Sequence, residues 1–202
     1  MPIYKLTYFN GTGLAEPIRF LLHQSGIEFE DNRVTPEEWT KLKAGMPLGQ
    51  LPVLEIDGKI YNQSRAIARL IAKKNNLYST NDEEAYLIDA TVDTIDDLRV
   101  AFSQYAFEQN PTTKEKLKET AFAKLPVVLN KLEEQVKKNS GFLVGGKLTW
   151  PDLLYTAIAE RLSIVVEHDV NEERPELKKL VEKVKALPKI KAYLEKRPKT
   201  EW

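Results

Sequence analysis

Cysteine is absent from this 202-residue chain. That excludes a disulfide scaffold, a thiol nucleophile, a CxxC redox pair and a cysteine-ligated zinc site. Histidine is scarce: the only two, His23 and His168, stand far apart with no catalytic signature around either, and each reads as a surface or core-edge residue. Neither sign of charge is in excess, since 30 basic and 30 acidic residues cancel. A protein held to nucleic acid through phosphate contacts shows a basic surplus instead. No apolar run approaches the ~20 residues of a membrane-spanning helix, and the longest, Ala66 to Ala72, is interrupted by Arg69. The start, MPIYKLTYF, lacks the charged head, apolar stretch and cleavage site of a signal peptide. The expectation is a soluble cytoplasmic protein that engages neither nucleic acid nor membrane.

What is present is an ordinary globular composition, 42% apolar and 30% charged. The first third changes period repeatedly. Ile3 to Phe9 fits a strand, and Leu14, Ile18, Leu21 and Leu22 follow at helical spacing until Gly26. Pro17 falls in the first helical turn, where its missing N–H had no partner. Glu28 to Val34 alternates as a second strand, and Thr35-Pro36-Glu37-Glu38 marks a helix start. Pro52 to Ile56 and Lys59 to Tyr61 flank Asp57-Gly58, a strong hairpin signal. Ser64 is placed to cap the next helix, through Ile67, Leu70 and Ile71. The order βαβαββα predicts a mixed sheet, with the crossover pair parallel and the hairpin antiparallel.

After the polar joint Ser79-Thr80-Asn81-Asp82 the pattern is helical almost throughout. Ile88, Val92, Ile95, Leu98 and Phe102 form one stripe, and Asn110-Pro111-Thr112 breaks that helix. Leu117 to Val136 reads as another, interrupted by Pro126. Thr149-Trp150-Pro151-Asp152 resembles a capping box with aspartate in the glutamate position, and Pro175 and Pro188 open two short final helices. The expected organisation is an α/β domain over 1–78 and an all-helical domain over 82–202.

Several residue groups admit both a structural and a chemical reading. Gly11-Thr12-Gly13 lies between a strand and a helix, but lacks the third glycine of a dinucleotide fingerprint and the Gly-Lys-Ser/Thr ending of a P-loop. Tyr8, at the end of the first strand, either packs or offers a phenolic donor to an anion at the sheet edge. Leu51-Pro52 precedes a strand, and a cis bond there would leave the Leu51 backbone open to a ligand's main chain. Gln63-Ser64 at a helix start caps that helix, binds a carboxylate, or does both. Trp39 and Lys43 share a helix face, either as an ordinary amphipathic pair or as carboxylate ligands. Asp93, Asp96 and Asp97 form either a solvated acidic face or a site for a hard cation.

Together these features resemble a cytosolic glutathione transferase of the sigma class, over essentially the whole chain. The resemblance is carried by YKLTYFN (4–10), AEPIR (15–19), FED (29–31), MPLGQLPVL (46–54), NQSRAIAR (62–69), VDTIDD (92–97) and LTWPD (148–152). It extends to arthropod members and to vertebrate haematopoietic prostaglandin D synthases. It implies a thioredoxin-like first domain with a cis Pro52, a helical second domain and a homodimer. It also implies that Tyr8 holds the sulfur of glutathione as thiolate, with Trp39, Lys43, Gln50, Leu51, Pro52, Gln63 and Ser64 binding the tripeptide. Asp97 would reach the glutathione of the neighbouring subunit, and Phe9, Leu14, Gln104 and Tyr105 would line an electrophile pocket. No cofactor beyond glutathione is implied, and no metal is expected, although a divalent cation near Asp93, Asp96 and Asp97 is conceivable by the same resemblance.

Two positions depart from the prostaglandin D synthase pattern, which has arginine in place of Leu14 and tryptophan in place of Gln104. The expected activity is therefore addition of glutathione to small or lipid-derived electrophiles, with glutathione-dependent peroxide reduction as a companion. Prostaglandin-H2 D-isomerisation is an alternative, and a crystallin-like structural role is an alternative of another class.

Overall fold

The computed structural model describes residues 2–200. Contacts divide the chain into two units: residues up to Asn75 together with those from Ala186, and the stretch Asn76–Lys185.

The first unit contains β1 (Tyr4–Phe9), α1 (Glu16–Ser25), β2 (Phe29–Val34), α2 (Pro36–Leu42), β3 (Val53–Ile56), β4 (Lys59–Asn62) and α3 (Ser64–Lys74). The sheet order is β2-β1-β3-β4, with β1 and β2 parallel and β3 antiparallel to both of its neighbours. This is the expected βαβαββα mixed sheet, a thioredoxin-like arrangement. Leu6 and Leu54 face each other across β1 and β3, both fully buried. The Asp57-Gly58 turn has φ of 50° and 80°, as a two-residue type I′ hairpin requires. Thr35 caps α2: its side chain accepts from Glu38 N–H at 3.2 Å, and Glu38 accepts from Thr35 N–H at 2.8 Å.

Every residue from Glu16 to Leu22 of α1 is buried, including two charged ones. Buried charges require partners, and α8 (Pro188–Lys196) supplies some of them. The Tyr193 hydroxyl donates to Glu16 at 3.0 Å, and Arg197, just past the helix, donates at 2.8 Å. The expected division at 78, with 82–202 as one helical domain, therefore differs from the contact grouping, which places the residues from Ala186 with the first unit.

The second unit is built from α4 (Asp82–Phe107), α5 (Pro111–Lys138), α6 (Trp150–Val166) and α7 (Pro175–Lys185). All residues from Trp150 to Ala159 are buried, which makes α6 the central helix. Its start follows the capping-box expectation, with Thr149 N–H donating to the Asp152 carboxylate at 2.7 Å.

Two local expectations change. Ser64 is the first helical residue of α3 rather than its cap; Gln63 holds the cap position at φ 70° and makes no side-chain cap bond. Pro126 does not interrupt α5, which runs continuously through it. The buried Ala121, Leu125, Val128 and Leu129 tie both halves to the core, and that packing outweighs a local penalty of about 3 kcal/mol. Among the described residues no helix is long and apolar enough to cross a membrane.

Candidate active site

Tyr8 lies one residue before the end of β1 and is 8% exposed. The chain then turns through Gly11-Thr12-Gly13 into a short 3-10 turn, Gly13–Ala15, which leads directly into α1. Backbone N–H groups at the start of a helix lack intrahelical acceptors and carry partial positive charge. One of them, Leu14 N–H, donates to the Tyr8 hydroxyl oxygen at 3.2 Å. A phenol that accepts a hydrogen bond becomes a better donor, because the donated bond draws electron density from its oxygen. The Tyr8 ring meets Phe9 edge to face at 5.6 Å, and Phe9 meets Trp39 in the same way at 5.9 Å.

Beside this turn lies a cleft lined by Leu14, Gln50, Leu51, Pro52, Gln63 and Ser64, together with Pro47 and Asn62. The expected glutathione residues 50–52 and 63–64 are thus brought together with Leu14. The Leu51-Pro52 peptide is cis, as the resemblance implies. Amide side chains, a hydroxyl and the start of α3 give the cleft donors suited to carboxylate and main-chain groups of a peptide. Pro47 and Asn62 were not singled out in the sequence. Both lie inside motifs that carry the resemblance, MPLGQLPVL (46–54) and NQSRAIAR (62–69), without a binding role being attached to either.

Trp39 is half-buried on α2, and Lys43 is exposed at its end, its backbone N–H bonded to the Trp39 carbonyl. The Lys43 side chain runs along Gly49. Neither Trp39 nor Lys43 lines the Gln50–Ser64 cleft. Asp97, Gln104 and Tyr105 belong to α4 of the second unit. Asp97 is exposed, 3.5 Å from the Lys124 ammonium. Gln104 is exposed, and Tyr105 packs edge to face on Phe122 at 6.0 Å. Of the acidic face, Asp96 accepts from Arg99 at 2.6 Å. Among the described residues no three histidine or carboxylate side chains are grouped to hold a metal ion.

Two family models match the chain: "Glutathione S-transferase, N-terminal domain" over residues 4–73 and "Glutathione S-transferase, C-terminal domain" over residues 96–197. The chain is 45% identical to glutathione S-transferase S1 of Drosophila melanogaster, over 98% of this chain and 80% of that one. It is 40% identical to hematopoietic prostaglandin D synthase of Gallus gallus, over 99% of both chains. The solved structure of prostaglandin synthase D of Nilaparvata lugens superposes with a TM-score of 0.92 at 43% identity, covering 98% of this chain and 100% of that one. With both family models matched in order and relatives aligned almost end to end, the chain belongs to the glutathione S-transferase family and is an enzyme with that activity.

Proposed function

We propose that this protein is a sigma-class glutathione transferase in which Tyr8 holds the glutathione sulfur as thiolate for attack on small or lipid-derived electrophiles. The observation that carries the reading is the Leu14 N–H to Tyr8 hydroxyl bond, 3.2 Å long, beside a cleft that contains Leu14, Gln50, Leu51, Pro52, Gln63 and Ser64. A free thiol near pKa 8.5 is about 3% ionised at pH 7, and the thiolate is the nucleophile. Lowering that pKa by about two units requires roughly 2.7 kcal/mol. One hydrogen bond to a charged partner contributes about 1.5–3 kcal/mol. A single phenol supported by a helix-start N–H thus supplies most of the effect.

In this reading the tripeptide is held by Trp39, Lys43, Gln50, the Leu51 backbone, Pro52, Gln63 and Ser64. Phe9, Leu14, Gln104 and Tyr105 face the second substrate. The thiolate forms a C–S bond to the electrophilic carbon. With an aryl halide the halide leaves; with an α,β-unsaturated carbonyl the adjacent carbon takes a proton from water. Reduction of a hydroperoxide consumes two glutathiones and yields an alcohol, water and the glutathione disulfide. Glutathione is the only co-substrate and no metal takes part. The active form is a cytoplasmic homodimer in which Asp97 reaches the amino group of glutathione bound to the other subunit.

Relatives named prostaglandin D synthases make endoperoxide isomerisation the second reading. The aliphatic Leu14 side chain argues against it, because it offers no hydrogen bond to a prostanoid oxygen or to the thiolate. Tyr8→Phe tests the main reading. Turnover of a generic aryl halide falls by roughly 25-fold at pH 7, the ratio of the thiolate fractions at pKa values of about 6.5 and 8.5, while glutathione affinity changes little. Unchanged turnover refutes the assignment. A panel of hydroxyalkenals, cumene hydroperoxide and prostaglandin H2 then identifies the second substrate.

A further inference from the structure

The connection between β1 and α1 is fixed from both sides. On the Tyr8 side, Gly13 has φ of +38° and sits against the phenol. A β-carbon built there would lie 2.5 Å from the hydroxyl oxygen and 2.9 Å from the ring carbon Cε1. On the far side, Arg19 is fully buried and donates to the Gly11 carbonyl at 2.7 Å. Its other bonds reach Glu16 at 3.2 Å and Asp31 at 3.0 and 3.1 Å. Glu16, itself 1% exposed, is gripped in turn by Tyr193 and Arg197. Arg33 adds a further tie, bonding both Asp31 at 2.8 Å and the Asn10 side chain at 3.3 Å.

Stability alone does not account for this cluster. Buried ion networks are often matched or exceeded in stability by apolar replacements of similar volume. Here one guanidinium nitrogen, Arg19 Nη2, is buried without a hydrogen-bond partner among the described residues. What the network achieves is positional, because it fixes the Gly11 carbonyl and hence Gly13 and Leu14, which lie against the Tyr8 hydroxyl. Leu14 supplies the bond, and Gly13 supplies the clearance.

We infer that Gly13 and Arg19 are positioning residues for the Tyr8 hydroxyl: Gly13 by having no side chain under the phenol, Arg19 by anchoring the turn from behind. The inference rests on Tyr8 being the thiolate partner. With a methyl at position 13, ordinary van der Waals separation moves the phenol oxygen by about 1 Å. Hydrogen bonds weaken steeply over such a displacement.

The test is the pKa of glutathione bound to the purified enzyme, read from the ultraviolet absorbance of the thiolate as pH is raised. Kinetics with an aryl halide are followed alongside. In Gly13→Ala the bound thiol titrates about one unit higher, kcat near pH 6.5 falls about fivefold, and KM for glutathione stays within about twofold. The lost rate returns at high pH, where the thiol ionises unaided. Gly13→Asn separates clash from backbone strain: asparagine tolerates a left-handed backbone but carries the β-carbon, so it shifts the thiol in the same direction. Arg19→Lys keeps the charge, loses the fork, and shifts the thiol less.

In the double variant Tyr8→Phe/Gly13→Ala the glycine substitution adds no further shift. A folded Gly13→Ala or Gly13→Asn protein with an unchanged thiol pKa overturns the inference. So does an additive effect in the double variant. If neither position-13 variant folds, an unchanged thiol pKa in Arg19→Lys overturns it. An unaltered pKa in Tyr8→Phe alone would instead refute the role given to Tyr8.

Discussion

Replacing Asp152 removes a carboxylate with three separate bonds at the start of α6. The side chain is fully buried and accepts from Thr149 N–H at 2.7 Å, the Thr149 hydroxyl at 3.1 Å and Leu143 N–H at 2.8 Å. Thr149 and Leu143 are themselves fully buried, so Asp152→Ala leaves both N–H groups away from water without an acceptor. Each orphaned buried donor costs about 1–3 kcal/mol, which places the total for the two at about 2–6 kcal/mol, a large share of the 5–15 kcal/mol typical of a domain. Asp152→Asn keeps one accepting oxygen and should lose about half as much.

The comparison also has a pH signature. Burial pushes the Asp152 carboxyl up from 3.8 to about 6, opposed by the bonds from Leu143 and Thr149 and by the charge of Lys183. A folded-state value above the unfolded one means that the native state binds the proton more tightly. The stabilisation is therefore complete below about pH 4 and is lost as pH rises through 6, by about 3 kcal/mol. Urea denaturation at several pH values measures both effects, and the gap between wild type and Asp152→Asn should narrow between pH 4 and pH 7. A cost below about 1 kcal/mol for Asp152→Ala at pH 7, well under the orphaned-donor figure, would refute the reasoning.

Gly145→Ala should destabilise the protein by about 1–3 kcal/mol, seen as a lower thermal midpoint. Gly145 has φ of +67°, and an added β-carbon would collide with Glu84 Oε1, on a carboxylate that already accepts from Ser79. A wild-type midpoint would show that the collision is relieved at no cost. His23 stacks on the Tyr193 ring at 4.3 Å, and burial lowers its pKa despite the opposing pull of Asp31 and Glu16. Its contribution to stability is therefore present above about pH 6.5 and is lost as pH falls through the folded value. Titration of its ring protons by NMR should give a midpoint below 6.5, and one above it contradicts the burial argument.

The order of elements in the first 75 residues was legible because each boundary carries its own local chemistry. Thr35-Pro36 starts a helix by capping and by a fixed φ, and Asp57-Gly58 closes a hairpin through its two left-handed residues. The Thr149–Asp152 box was equally local. The destination of α8 was not, since Pro188 announces a helix without saying where it packs. That is decided by Glu16, a residue 177 positions from Tyr193, whose buried charge needs a donor. Pro126 misled for a similar reason: its penalty is local, while the packing that overrides it is not.

At the candidate site the motifs group Gln50, Leu51, Pro52, Gln63 and Ser64, which the structure places around one cleft, but they assign capping to Ser64 where Gln63 holds that position. Among eight tyrosines, composition alone could not single out Tyr8. The clearance under its ring depends on a φ angle and a distance, and neither is written in residue types.

The return of the last helix to the first unit has a consequence for biosynthesis. On a ribosome, the segment through Asn75 emerges about 110 residues before Ala186 does, a lag of roughly 5–20 s at ordinary elongation rates. Throughout that interval Glu16 lacks the tyrosine and arginine that later hold it. A nascent chain stalled before codon 193 would present an unfinished amino-terminal unit to chaperones and proteases, however well its sheet had already paired.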